Sequence, residues 1–153
     1  MKYIYLLFLS LLWISCSSVK RFPMKSSFPI SSGVSIGGNT EILYLSGAIP
    51  KVFDESAQKN SSKYWGTFTD QTRSTFEKIK ESLEEKGYSL DNIVKMYVYI
   101  VPNDQNKIPF KKFMSVYKEY FSEPKFYPAR TVVGTPALAL DNLLIEIQVI
   151  AAK

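Results

Sequence analysis

Arg130 and Glu146 are the residues of this chain best suited to chemistry on a small molecule. Arg130 sits in Tyr-Pro-Ala-Arg-Thr-Val-Val (residues 127–133), and Glu146 in an apolar, strand-like run over residues 143–151. A guanidinium in such a setting grips a carboxylate through two parallel charge-assisted hydrogen bonds. A carboxylate nearby can orient or activate a water, so the pair points to hydrolysis of a small anionic substrate. Period-two alternation puts Ile145, Ile147 and Val149 on one face of the last strand and Leu144, Glu146, Gln148 and Ile150 on the other. Glu146 therefore points away from the most apolar face, into solvent or a subunit interface. Arg130 begins the preceding strand, and a hairpin would bring the two side chains together. The competing reading is an ordinary surface ion pair, worth about 0–1 kcal/mol.

Two absences narrow the chemistry. The chain has no histidine and one cysteine, Cys16. Ser-His-Asp and Cys-His nucleophilic machinery are excluded, as is an ordinary Cys/His zinc site. Acid–base work falls to carboxylates, tyrosines, lysines or held water. The net charge of +5 is dispersed. Lys78, Lys80, Lys111 and Lys112 fall on what should be solvated helix faces, and no basic stripe interleaved with aromatics marks a nucleic-acid surface.

The N-terminus reads as an export signal. Met1-Lys2 is basic, residues 3–14 are almost wholly apolar, and Ser15-Cys16 ends the run. The run is shorter than the roughly 20 residues a spanning helix needs. Cys16 directly after it resembles the lipobox of a bacterial lipoprotein, with residues 1–15 as signal peptide and lipid on the Cys16 thiol. Residues 16–28 would then be the lipidated cysteine and a tether, and residues 29–153 the folded domain. The expected place is the cell envelope, with the outer membrane favoured because residue 17 is not Asp. A secreted or signal-anchored protein is the alternative.

Positioning elements follow from periodicity. Residues 32–38 make a short strand, with Gly37-Gly38-Asn39 as a hairpin turn. Residues 41–48 are an apolar strand, and residues 51–66 a long polar connection. Thr67 to Asp70 has capping-box spacing, and Thr72, Phe76, Ile79 and Leu83 recur at helical intervals before Gly87 stops the helix. Residues 92–101 are apolar throughout, consistent with a strand covered on both faces. Pro109 suits the start of a second helix whose buried stripe is Phe110, Phe113, Tyr117 and Phe121. Strands over 129–135 and 143–151 close the chain. The order β-β-α-β-α-β-β favours one α+β domain, a single sheet with two helices on one face.

Several segments, in order, resemble the RidA family, also called YjgF/YER057c/UK114. They are residues 42–50 (ILYLSGAIP), 70–73 (DQTR), 88–95 (YSLDNIVK), 116–121 (VYKEYF), 128–131 (PART) and 145–147 (IEI). The resemblance implies a chorismate-mutase-like fold, homotrimers and ligand sites in clefts between subunits. It also implies hydrolysis of reactive enamine and imine carboxylates to 2-keto acids and ammonia, as by 2-iminobutanoate/2-iminopropanoate deaminases, without metal or cofactor. By position, Arg130 resembles the carboxylate-binding arginine and Glu146 the residue that orients water. Ser46 and Gly47 resemble pocket-lining residues. Ile30 stands where the family usually has tyrosine, Ala48 where glutamine is frequent, and Val132 where cysteine is frequent; valine keeps the backbone N–H. The alternative the same features allow is a non-catalytic envelope module binding a small carboxylate or keto acid.

Overall fold

The computed structural model describes residues 18–153, so the signal over residues 1–15 and the lipidation candidate Cys16 lie outside the described residues. Six strands form one sheet: β1 (Val19–Pro23), β2 (Ser31–Ile36), β3 (Ile42–Tyr44), β4 (Ile93–Ile100), β5 (Ala129–Gly134) and β6 (Ile145–Ala152). Their spatial order is β1-β2-β5-β4-β6-β3. A one-turn helix α1 (Ser62–Trp65) precedes the two main helices, α2 (Phe68–Glu84) and α3 (Phe110–Tyr120). The result is the expected α+β architecture.

β4 is the centre of the sheet. It pairs parallel with β5, Met96 opposite Arg130, and antiparallel with β6, Tyr99 opposite Glu146. Met96, Val98 and Ile100 of β4 and Ile145, Ile147 and Val149 of β6 are all at most 1% exposed and meet the helices. Lys95, Tyr97 and Tyr99 alternate with them and remain half-buried. The strand is thus covered on one face within a chain, not on both.

The capping box forms as its spacing predicts: Asp70 N donates to Thr67 Oγ1, and Thr67 N donates to Asp70 Oδ2. Phe68, Thr72, Phe76, Ile79 and Leu83 of α2 are buried. Phe76 lies within 6.3 Å, ring centre to ring centre, of Phe113, Tyr117, Tyr120 and Phe121, which joins α2 to α3. Gly87 follows with φ +73°, the left-handed conformation that closes a helix without a Cβ penalty. Phe110 departs from the expected stripe. It is 36% exposed because it precedes the first turn that meets the sheet.

Three connections differ from expectation. The tether over residues 16–28 includes β1, which pairs antiparallel with β2; Val19, Arg21 and Phe22 supply enough apolar and hydrogen-bonding contact to order it. Arg21 Nη2 donates to the carbonyls of Asp91 and Ile93 beside the start of β4. The Gly37–Asn39 turn is present, with Gly38 at φ +65°, but joins strands that do not pair. β2 takes β1 and β5 as neighbours, whereas β3 lies on β6 at the far edge. Finally, β5 and β6 form no hairpin. Their connection crosses the end of β4, where Thr135 N donates to Ile100 O and Val101 N donates to Leu144 O. A connection of this length carrying Pro136 satisfies its backbone there and leaves β4 between the two strands.

Phe76→Ala should cost about 3–5 kcal/mol, the usual range for emptying a fully buried aromatic site. Denaturant unfolding should show a lowered midpoint at unchanged slope.

Candidate functional site

The two residues singled out from sequence lie on opposite faces of the sheet. Arg130 shares the helix-covered face with its register partner Met96, whereas Glu146 shares the open face with Tyr99. β4 separates them, so one copy of the chain brings together two half-sites but no complete Arg–Glu pair.

The first half-site surrounds Arg130. Its Cζ lies 4.3 Å from the ring centre of Tyr117, 5.1 Å from Phe113 and 5.6 Å from Phe28. Nη2 reaches Met114 Sδ at 3.2 Å, a weak acceptor for so strong a donor. Among the described residues neither Nη1 nor the Tyr117 hydroxyl meets a well-aligned hydrogen-bond partner, but the two groups are neighbours, and hydrogen bonding between them opposes the pKa shift of each. Among the described residues, no carboxylate forms a salt bridge with Arg130. Burial pushes the guanidinium below its ordinary value, with the neighbouring Tyr117 opposing that shift. Burial also pushes the Tyr117 phenol up, against the pull of the Arg130 charge. The arginine stays a cation, held by ring quadrupoles rather than by an anion. Val132 follows two residues on, on the same face and half-buried. Ile30, also half-buried, follows the Phe28-Pro29 turn, its N donating to Phe28 O at 2.8 Å.

The second half-site surrounds Glu146. The chain leaves β3 and returns to β6 at Ala48, which exchanges backbone hydrogen bonds with Ile147. That return carries Gly47 against the Glu146 side chain. A Cβ on Gly47 would stand 2.9 Å from Glu146 Cδ, so a side chain there would push the flexible carboxylate end aside. Glycine is what allows Glu146 its present position. Ser46 and Gly47 are exposed and also line a separate cleft of about 340 Å³ against Ile79 and Ser82 of α2, which Glu146 does not enter.

Gln71 positions this half-site from behind. It is fully buried on α2, its Nε2 donates to Gly66 O and Asn142 O, and its Oε1 accepts from Leu144 N at 2.8 Å. Those bonds fix the chain two residues before Glu146. Trp65 Nε1 holds the same connection through Asp141 O. Sequence reasoning missed Gln71 as an anchor and missed Phe28 and Met114 as walls of the arginine site. A glutamine within an apolar helical stripe was the available signal for the first. Nothing local marked the other two.

The comparisons with known proteins agree with this architecture. A family model described as Endoribonuclease L-PSP matches residues 24–153. A RutC family protein of Pyrococcus horikoshii is 39% identical over 125 residues, covering 82% of this chain and 87% of that protein. The crystal structure of yeast Mmf1 superposes with a TM-score of 0.58 at 31% identity, over 90% of this chain and 96% of that one. A Mycobacterium tuberculosis member of the YjgF/YER057c/UK114 family, at 21% identity and TM-score 0.57 over 89% and 100% of the two chains, shares the fold. A chorismate-mutase-like sheet with its helices on one face is the class to which this fold belongs. The chain belongs to the Endoribonuclease L-PSP family, the group also called YjgF, RutC or UK114.

Gly47→Ala should displace the Glu146 carboxylate without emptying the core. Relative to wild type, unfolding should change by less than Phe76→Ala, while a crystal structure of the variant should show Glu146 in a different rotamer.

Proposed function

We propose that the protein hydrolyses small enamine and imine carboxylates to 2-keto acids and ammonia, at sites that combine Arg130 of one copy with Glu146 of another. The observation that carries this reading is a buried guanidinium whose polar neighbours among the described residues are a thioether and the Tyr117 phenol, with no anion paired to it. Native interiors pair a buried cation with an anion, so a guanidinium left without one, just beneath the walls Phe28 and Met114 of a surface groove, is suited to a ligand that supplies the acceptor. A substrate carboxylate supplies it in bidentate form.

The chemistry suits a chain without histidine or a second cysteine. A protonated imine carbon is already electrophilic. A water oriented by Glu146 forms the new C–O bond while the carboxylate takes a water proton. Glu146 then returns that proton to the carbinolamine nitrogen, and the C–N bond breaks as the hydroxyl loses its proton to solvent, which releases ammonia and the keto acid and regenerates the carboxylate. The protein contributes position and electrostatics, not a covalent nucleophile. The endoribonuclease description of the family finds less support in these residues. No histidine is present to take a ribose hydroxyl proton, and the surface has no basic stripe.

Opposite faces also bear on assembly. A two-fold interface uses one patch on both partners, and Arg130 and Glu146 cannot share a patch across the thickness of the sheet. A head-to-tail contact can join them, and it closes into a ring such as the homotrimer that the family resemblance implies. The half-exposed Tyr97, Tyr99, Gln148 and Ile150, with Tyr44 69% exposed beside them, give that contact an apolar surface. The same reading keeps Cys16 as a lipid anchor in the cell envelope.

Two experiments test this. The full chain in detergent should accelerate keto-acid release from an imine generated by an amino-acid oxidase, and Arg130→Ala and Glu146→Gln should each lose at least ~100-fold, the usual scale for a lost electrostatic or acid–base contact. Co-expressing the two inactive variants should restore roughly a quarter of the sites, because each draws its halves from two copies at random. Keto-acid binding without turnover would instead support a binding module. For the anchor, a palmitate analogue fed to cells should label the wild type and fail to label Cys16→Ser.

A further inference from the structure

Phe28 lies over the guanidinium that the proposed reaction needs open. Of the three rings around Arg130, Phe113 and Tyr117 are fully buried in the core beneath α3 and cannot leave without unpacking it. Phe28 is 38% exposed, on a segment whose residues 24–27 are also exposed. Its local hold is slight, a 3.4 Å bond from its N to Ser26 Oγ and the turn closed by Ile30 N. Its ring is parallel to that of Phe110, with centres 6.2 Å apart and planes 11° apart, and Phe110 is itself 36% exposed. From this pair a groove of about 800 Å³ runs along α3 past Met114 and Ser115.

Two facts give the ring a meaning beyond packing. Arg130 Nη1 is buried and, among the described residues, pairs with no anion, so an incoming carboxylate reaches it only when a wall moves. Phe28 is the wall free to move, and what it vacates is a slot bounded by a cation and an aromatic ring. A flat apolar group fills such a slot with the contacts Phe28 makes now.

We propose that Phe28 occupies an aromatic side-chain subsite in the free protein, and that the substrate class is 2-imino and 2-oxo acids bearing an aromatic ring, which replaces Phe28 against Arg130 and Phe110. This rests on Arg130 as the carboxylate clamp and adds the identity of the group attached to the carboxylate. Displacing Phe28 weakens binding of every ligand by the same factor. A ligand with its own ring restores the cation–π and stacking contacts, and a methyl-bearing one does not.

Calorimetry on the full chain in detergent, with phenylpyruvate and pyruvate as probes, tests the assignment. Wild type should bind phenylpyruvate about tenfold tighter, the scale of one desolvated cation–π or stacking contact. Phe28→Ala should tighten both acids by a similar factor, and Phe28→Leu, which keeps apolar bulk without the ring face, should tighten them less. Phe28 is exposed enough that neither variant should unfold, which thermal melting checks. Equal affinities in wild type, or unchanged affinities in Phe28→Ala, would overturn the aromatic subsite and leave the clamp standing. No binding of either acid to wild type or variant would overturn the clamp and the subsite together.

Discussion

The pairing of β4 with two different neighbours sets the rest of the structure. Because β5 runs parallel to it and β6 antiparallel, both strands that carry candidate chemistry are fixed by one central register. Alternation then decides the faces. Arg130 falls opposite Met96 and turns inward, and Glu146 falls opposite Tyr99 and turns outward. A slip of one residue in the β4–β6 ladder would turn Glu146 into the core and Ile145, Ile147 and Val149 out of it, and a slip in the β4–β5 ladder would turn Arg130 to the open face. The apolar alternation of β6 forbids the first slip, so core packing and site geometry are enforced by the same residues.

The inward arginine is the expensive feature. A cation taken out of water is tolerated only where other groups replace its hydration. Here Tyr117, Phe113 and Phe28 offer ring faces, Met114 offers a thioether, and no anion among the described residues pairs with the cation. Apolar side chains in the same place would satisfy the core better. The arrangement is comprehensible as a state poised for an anion, in which the missing interactions are those the ligand brings. The outward half-site is built on the opposite plan. Glu146 is half-buried beside exposed Ser46 and Gly47, where water reaches it. A carboxylate that must present water suits such a place, as a carboxylate-binding cation suits a dry one.

Local signals made much of this legible in the sequence. The Thr67–Asp70 box, the Phe76-Ile79-Leu83 stripe and the alternation over residues 145–150 each depend on neighbours a few positions apart, and each has its expected geometry. Strand adjacency was not legible, because it depends on competition between distant segments. Residues 129–134 could pair with 145–152 or with 93–100, and the buried central strand took both. The same limit hid the arginine's walls. Phe28 and Met114 stand 102 and 16 positions from Arg130 in the chain, and only the fold brings them together. Val19–Pro23 looked like a tether because its strand character comes from β2 and from the carbonyls beside β4 that Arg21 reaches.

With Arg130 and Glu146 on opposite faces, the proposed reaction would be coupled to assembly more tightly than one at a site within a single chain. A lone copy carries a buried cation on one side and a half-buried carboxylate on the other. On the proposed reading, joining copies head to tail would supply clamp and water-orienting group at once and exclude bulk water from between them. That exclusion would strengthen an Arg130–carboxylate contact, because charges attract more strongly in a low-dielectric cleft. β1 continues from residue 18 directly into the pairing with β2, and the Phe28 turn ends where β2 begins. The chain at residue 18 is therefore linked, through one hairpin, to the ring that covers the arginine.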